Sequence, residues 1–394
     1  MPSAPSQRLY RPTWAEVDLD AFVRNIDAVR ALLPEGAGLI AVLKADAYGH
    51  GSVELARRCE SGSVAMIAVA LLEEALELSD ADITLPILIL GTLTVPQIEL
   101  AAQRGFVLGV PGPETLRDVC SVASRTRKDI HIHLKLDSGM GRMGLVGNDL
   151  AFAAELLAST PNVRLDAIFT HYANASAPTD QLNAIQNQRF AEMLAELRRL
   201  GVSAPLHHRS NSAATMRGLV EPGDLVRVGL SLLGAEPLDE GATMLEPLLT
   251  WRSEIVRLKE VPKGESVGYG ASFRTTRTSR IATLPVGYAD GYNRLLSNKG
   301  DVLLRGKRVP IVGRVSMDLV TIDVTDIPEA TTGDQAILLG SDGNERISAE
   351  ELAEKTGTIS YEVFCSIAAR VPRLYLTERG ETLRSRFSTF MEQH

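Results

Sequence analysis

From residue 38 onward the chain repeats one pattern: a short apolar run closes on polar residues, and a stretch with apolar positions at helical spacing follows. Eight such runs occur: Gly38–Lys44, Val64–Ala70, Leu85–Leu90, Phe106–Val110, Ile130–Leu136, Leu165–Thr170, Pro205–His208 and Leu225–Leu233. Runs this short, apolar at successive positions and separated by helical segments, read as parallel strands covered on both faces. Eight strand-helix units over residues 20–240 predict a (β/α)₈ TIM barrel. An open doubly wound sheet shares the alternation and stays open at this level. The seventh run is the least regular, being short and mixed.

Local signals place several ends. Trp14–Leu19 alternates like a strand, and Asp20 is expected to cap a segment with Phe22, Ile26, Val29 and Leu32 at helical spacing. Pro96 marks a helix start with Gly105 past its end, and Asn148 is expected to cap Leu150–Leu157. Within Gln181–Leu200, Leu182, Ile185, Met193, Leu197 and Leu200 fall on one helical face, and Gly201 ends it. After Gly234 the pattern changes to short strands broken by Gly, Pro and Asp: Leu249–Val261, Ser266–Tyr269, Arg280–Val286, Asp301–Leu304, Arg308–Val312, Leu319–Val324 and Gln335–Leu339. One helical segment, Ser348–Thr356, interrupts them, and Tyr361–Leu376 returns to apolar runs. The expected organisation is a tail over 1–13, a strand over 14–19, the barrel over 20–240 and a mainly β C-terminal domain over 241–394, with the boundary near Glu236–Ala242.

Composition narrows the function classes. With 394 residues, 45% of them hydrophobic, the chain can bury a large core in two or three domains. A net charge of −8 and a pI near 5.5 argue against nucleic acid or an anionic membrane as partner, because both demand clustered positive charge. No apolar run is long enough to cross a bilayer, and the first residues lack a signal-peptide core, so a cytoplasmic enzyme is expected. Cys59, Cys120 and Cys365 are odd in number and widely spaced; buried thiols and no metal site are expected.

Chemistry is sought at the polar residues that close each run, since barrel strands present functional groups at their C-terminal ends. Lys44 ends an apolar run and precedes Ala45-Asp46-Ala47-Tyr48-Gly49-His50-Gly51, so a partly desolvated amine stands beside a glycine turn that can approach a phosphate. The fifth run ends Lys135-Leu136-Asp137-Ser138-Gly139-Met140-Gly141-Arg142, where glycines fold the backbone around a guanidinium. The sixth ends on His171. The seventh leads into His208-Arg209-Ser210-Asn211-Ser212, a helix start whose Ser212 hydroxyl suits a dianion, and the eighth carries Arg227-Val228-Gly229-Leu230. In the β region, tyrosines beside glycines stand out in Gly268-Tyr269-Gly270 and Gly287-Tyr288-Ala289, with Met317 in Arg314-Val315-Ser316-Met317-Asp318.

These motifs, in this order from Trp14–Leu19 to Arg370–Arg373, closely resemble those of the alanine racemases. The resemblance implies pyridoxal 5'-phosphate attached through Lys44, with Tyr48, Ser212, Gly229, Leu230 and Tyr361 on its phosphate. It places Arg142 on the cofactor phenolate and the substrate carboxylate, Lys135 as a lysine that can be carbamylated to hold Arg142, and His171 beside the ring, bonded to Arg227. Arg227 itself falls at the pyridine nitrogen. An arginine can only donate there, which disfavours the protonated ring and argues for racemisation over transamination or decarboxylation. Tyr269 becomes the second catalytic base, Tyr288 lines the entry and the Met317 amide binds the substrate carboxylate. The family commonly has Cys where this chain has Ser316. A head-to-tail homodimer sharing its sites, alanine as substrate, and the 14–19 strand lying in the C-terminal domain are further implications. A serine or broad-specificity racemase is the main alternative, although Tyr361 should crowd side chains longer than a methyl. A non-catalytic pyridoxal phosphate carrier and a decarboxylase of the same barrel type are weaker ones, opposed by the complete β domain and by Arg227 respectively.

Overall fold

The computed structural model describes residues 10–61, 63–177, 181–238, 245–378 and 380–384, and the chain divides into two compact units. The first comprises the residues up to Phe22, Tyr48–Gly51 and those from Glu246; the second comprises Val23–Ala47 and Ser52–Leu245. The expected boundary at residue 240, and the first nine residues of the tail, lie outside the described residues.

In the second unit the eight runs are eight parallel strands: β2 Gly38–Val42, β3 Met66–Val69, β4 Ile87–Ile89, β5 Val107–Val110, β6 Ile130–Lys135, β7 Val163–Phe169, β8 Leu206–His208 and β9 Leu225–Val228. The strand Thr13–Asp18 of the first unit is β1. Closure decides between barrel and open sheet: β2 pairs with β9 in the register Gly38↔Leu225 to Ala41↔Val228, and the order runs β2 to β9 without an edge. Strands buried on both faces need apolar residues at successive positions, and Leu39, Ile40, Ala41 and Val42 are all buried. The mixed seventh run is a strand of three residues that meets β9 through His208↔Leu225 alone.

Three helix signals resolve differently from expectation. The helix Leu19–Ala31 is capped by Asp18, whose Oδ1 accepts the amides of Asp20 (2.9 Å) and Ala21 (2.8 Å); it begins one residue before Asp20. Asn148 makes no side-chain cap for Asp149–Ser159; the Asp149 carboxylate instead reaches back to the Val146 amide. The helix Leu182–Arg199 buries Asn183, Gln186, Phe190, Leu194 and Leu197, while Ile185 is exposed. Gln186 explains the rotated face: its amide donates to the His171 carbonyl (2.9 Å) and accepts the Ala173 amide (2.9 Å), so a polar contact to the loop after β7 sets the buried side.

The first unit is mainly β. Its large sheet runs, in spatial order, Lys307–Pro310, Asp301–Leu304, Gln335–Asp342, β10 (Leu249–Glu254), β1, Arg373–Thr377 and Gly380–Arg384. β1 is antiparallel to β10 and parallel to Arg373–Thr377. A three-stranded sheet of Arg257–Val261, Ser279–Leu284 and Val320–Asp323 accompanies it. Trp14, Trp251, Tyr292 and Tyr375 fill the core of this unit. The expected helix over 348–356 is present as Ala349–Thr356 with Ser348 as its cap, whereas 361–376 is the helix Ser360–Ser366 followed by a strand. Cys59 and Cys120 are buried, with burial pushing the Cys59 thiol up to about 12; Cys365, expected buried, is exposed.

Candidate active site

Lys44 lies two residues past β2 and opens a turn with an unusual backbone: Ala45, Asp46, Ala47 and Tyr48 have φ of 54°, 53°, 52° and 54°. Four consecutive non-glycine residues in the left-handed region each cost about 1–2 kcal/mol. Bonds on either side hold the turn: the Glu74 carboxylate accepts the Ala45 amide (2.6 Å), the Asp46 carboxylate accepts the Ser52 amide (2.8 Å) and the Ala47 amide reaches the Leu43 carbonyl (2.9 Å). The turn thus starts four residues ahead of the glycines that announced it.

Arg227, on β9, is the best-defined group of the barrel. It is 5% exposed, and Nη1 donates to Nδ1 (2.6 Å) and the carbonyl (3.1 Å) of His208. Nη2 donates to the Thr170 carbonyl (2.8 Å), His171 Nδ1 (2.9 Å) and the Arg209 carbonyl (3.3 Å). Among the described residues these bonds engage every terminal N–H and leave Nε–H as the free donor. Burial lowers the guanidinium to about 10. Both imidazoles must accept, since a guanidinium has nothing to accept with. Burial and the Arg227 charge push His171 down to about 2 and hold His208 well below the ordinary range, so both stay neutral.

Lys135 and Arg142 flank this cluster. Burial, then the charges of Arg142 and Arg227, bring Lys135 down to about 8. Arg142 is exposed on a loop that Asp137 folds, its carboxylate accepting the amides of Gly139, Met140 and Gly141 at 2.8–3.1 Å. The charges of Arg227, Lys135, Arg142 and Lys44 all depress His171, so the barrel mouth gathers four cations. After β8, Asn211 caps the short helix Ser212–Met216 by accepting the Ala214 amide (2.9 Å). The Ser212 hydroxyl accepts the amides of Gly229 (3.1 Å) and Ser231 (3.5 Å), which brings Ser212 against the segment Gly229–Ser231. The buried Ser231 hydroxyl has no partner among the described residues.

In the first unit the Tyr48 and Tyr361 rings meet at 5.7 Å. Arg373 clamps the segment by donating from Nε to the Gly49 carbonyl (3.0 Å), and His50 meets the edge of Phe364 at 4.9 Å. Tyr269, Tyr288 and Met317 are exposed by 72%, 42% and 53%. They sit on adjoining loops: the amides of Tyr288 and Ala289 donate to the carbonyls of Ser316 and Met317 (3.0 Å each). A Cβ on Gly287 would lie 2.3 Å from the Ser316 carbonyl, so only glycine fits there. Gly313 packs its Cα region against Val267, beside the turn that carries Tyr269. Asp290 anchors the group, its carboxylate bonded to Arg11 (2.7 Å), Arg370 (2.7 Å) and the Gly287 amide (2.9 Å).

Family models for the alanine racemase N-terminal and C-terminal domains match residues 17–237 and 248–375. An alanine racemase of Halothermothrix orenii is 40% identical over 95% of this chain and 100% of its own length. The chain belongs to the alanine racemase family. The structure of the Bacillus anthracis enzyme with bound L-Ala-P superposes with a TM-score of 0.90 at 36% identity, covering 97% of this chain and 99% of that one. That of the Bartonella henselae enzyme with covalently bound pyridoxal phosphate gives 0.84 at 28%, covering 93% and 99%. The chain is accordingly a pyridoxal phosphate-dependent isomerase built as a TIM barrel with a β-rich C-terminal unit.

The barrel's donor set fits that cofactor. Among the described residues Arg227 keeps one unused N–H for a ring nitrogen and bonds to no carboxylate, and the Ser212, Gly229 and Leu230 region offers a hydroxyl and amides, with the Ser231 hydroxyl partnerless there, for a phosphate. Sequence reasoning missed His208, His133 and the anchoring roles of Asp137 and Gln186. Parity held a signal for His133: in Ile130-His131-Ile132-His133-Leu134-Lys135 alternate residues share a face, which puts His133 one step before Lys135 on the same side, and His133 is buried. No group of metal-ligating side chains occurs among the described residues, and no helix there is long and apolar enough to cross a membrane.

Proposed function

We propose that this chain interconverts L- and D-alanine with Lys44 and Tyr269 as the two proton carriers, acting as a cytoplasmic head-to-tail homodimer that supplies D-alanine for peptidoglycan. The observation that carries the reading is the set of partners around Arg227, which among the described residues holds imidazoles and carbonyls and no carboxylate. Bound through Lys44, pyridoxal phosphate supplies a conjugated ring over which charge left at the substrate Cα spreads. Arg227 would donate to the ring nitrogen and, having no atom that can accept, would disfavour its protonated form, which favours racemisation over transamination or decarboxylation.

Two carriers serve the two faces: Tyr269 Oη takes the proton from L-alanine and Lys44 Nζ takes it from D-alanine. Arg142 and the Met317 amide hold the substrate carboxylate, and Lys135, depressed to about 8, is reactive enough to be carbamylated and hold Arg142. Tyr48, Ser212, Gly229, Leu230 and Tyr361 hold the phosphate. Tyr288 lines the entry, and Tyr361 limits the side chain to a methyl by shape, worth roughly 1–3 kcal/mol per methylene, so serine turns over weakly. The exposure of Tyr269, Tyr288 and Met317 supports their service in the partner subunit's site.

Subunit mixing tests both parts. Lys44→Ala and Tyr269→Phe chains are each inactive alone, and after subunit exchange about a quarter of the wild-type rate returns, because half the dimers are mixed and each has one intact site. Exchange without recovery overturns the shared site. Wild-type enzyme that carries cofactor and makes no D-alanine from L-alanine overturns the reaction.

A further inference from the structure

We propose that His133 is a positioning residue, which fixes the imidazole tautomer of His208 and through it the guanidinium of Arg227; the proposal rests on the placement of Arg227 at the cofactor in the function above. The argument follows protons outward from the arginine. Nη1 of Arg227 can only donate, and it lies 2.6 Å from His208 Nδ1, so that nitrogen carries no hydrogen. A neutral imidazole has one ring proton, and His208 therefore holds it on Nε2. His208 Nε2 lies 2.9 Å from His133 Nδ1. Two facing ring nitrogens bond only when one of them carries hydrogen, so His208 donates, His133 Nδ1 accepts and the His133 proton sits on Nε2.

The chain has one consistent arrangement. Moving the His208 proton to Nδ1 sets two N–H groups against each other at 2.6 Å, and adding a second proton does the same. Both rings are buried, and among the described residues no carboxylate bonds to either, so charging them is costly. Burial and the Arg227 charge hold His133 at about 4, in keeping with a neutral ring. Phe169 completes the cage: it stacks on His208 at 4.5 Å and lies under the Arg227 guanidinium at 5.4 Å. Without an acceptor at His133, the His208 Nε2–H would be buried unbonded, and the ring would gain by taking the tautomer that repels Arg227. Arg227 would then turn, and its free N–H with it.

Holoenzyme labelled with ¹⁵N in its histidines is compared for wild type, His133→Phe, which fills the ring volume without an acceptor, and His133→Asn, whose amide oxygen replaces Nδ1. Wild type should show His208 protonated on Nε2 alone. His133→Asn should keep that pattern and a kcat within about threefold of wild type, while His133→Phe loses the pattern and about tenfold in kcat with KM for alanine little changed, the size expected for one hydrogen bond between neutral groups. A wild-type His208 proton on Nδ1 overturns the proposal, as does a Phe variant with an unaltered pattern or an Asn variant as slow as Phe. The wild-type spectrum decides even where a variant does not fold. It is also read without turnover, so a protein inactive on alanine refutes the function while leaving the tautomer result standing.

Discussion

In the barrel, Arg227, His208 and Ser212 are buried and already bonded to one another's loops, whereas in the β-rich unit Tyr269, Tyr288 and Met317 stand exposed on turns, those of Tyr288 and Met317 braced by Asp290 and Gly287. The barrel groups owe their properties to a single chain: desolvation and neighbouring cations move Lys135 and three histidines far from their ordinary pKa values. Pre-organised electrostatics is cheap to build where backbone and core fix every partner, and a group that must work against another surface is left bare on a rigid mount. Perturbation experiments should therefore separate the two regions.

The largest separation is expected between the two proton carriers. Lys44→Ala removes both the attachment point and a base, and kcat should fall by roughly 10³ or more, with the visible absorption of attached cofactor lost as well. Tyr269→Phe should cost roughly 10²–10⁴ in racemisation and leave the cofactor absorption unchanged. Hydrogen exchange sharpens the contrast. In deuterated water the Tyr269→Phe variant should still exchange the Cα hydrogen of D-alanine through Lys44 and should fail to exchange that of L-alanine; equal exchange of both isomers would assign the two faces wrongly.

The contrast also explains what was legible beforehand. The eight strands could be read because each must be apolar on both faces, and Lys44, Lys135, His171 and Arg227 could be read because polar residues closing such strands are conspicuous. His208 and His133 were hidden by the same logic, since a histidine inside a buried strand looks like any tolerated core residue until its hydrogen-bond partners are known. The cap after β1 was assigned to Asp20 where Asp18 serves, because both acids precede the apolar positions and only backbone geometry chooses between them. The rotated helix Leu182–Arg199 failed for another reason: Gln186 earns its burial through two backbone contacts, and a count of apolar positions cannot see them. In the β-rich unit the tyrosines were noticed only through their glycine neighbours.

Acid should act on the two regions at different pH. His133 and His171, at about 4 and about 2 when folded, and His208 below the ordinary range, each take up a proton at about 6.5 once unfolded. Below pH 6.5 the unfolded chain therefore binds more protons, and stability falls with pH at up to about 1.4 kcal/mol per pH unit per histidine. Asp290 loses its share in the same direction but at lower pH: burial raises its carboxyl, hydrogen bonds from Arg370, Arg11 and the Gly287 amide outweigh burial and hold it below 3.8, and the stability it adds is kept above that value and lost only as pH falls through the folded pKa. Amide exchange corrected for its intrinsic pH dependence should show protection in barrel peptides declining between pH 6.5 and 4.5 while β-unit peptides hold. Parallel decline in both would mean that the histidine cluster does not govern acid sensitivity.

The smallest effect separates stability from site geometry. Asn211 caps Ser212–Met216 through the Ala214 amide at 2.9 Å, and Ser348 caps Ala349–Thr356 through the Glu351 amide at 3.2 Å. Replacing either by Ala should remove about 1 kcal/mol of stability, read as a shift in denaturation midpoint, because each leaves one helix amide without its acceptor. Their consequences for pyridoxal phosphate should diverge. The Asn211 cap sets the first turn on which Ser212 meets the Gly229 amide, so Asn211→Ala should weaken cofactor retention severalfold on dialysis, whereas Ser348→Ala should leave it unchanged. Equal retention by both variants would mean that the Ser212 hydroxyl and the Gly229 loop hold their places without the cap, and that the barrel's phosphate region is organised by β8 and β9 alone.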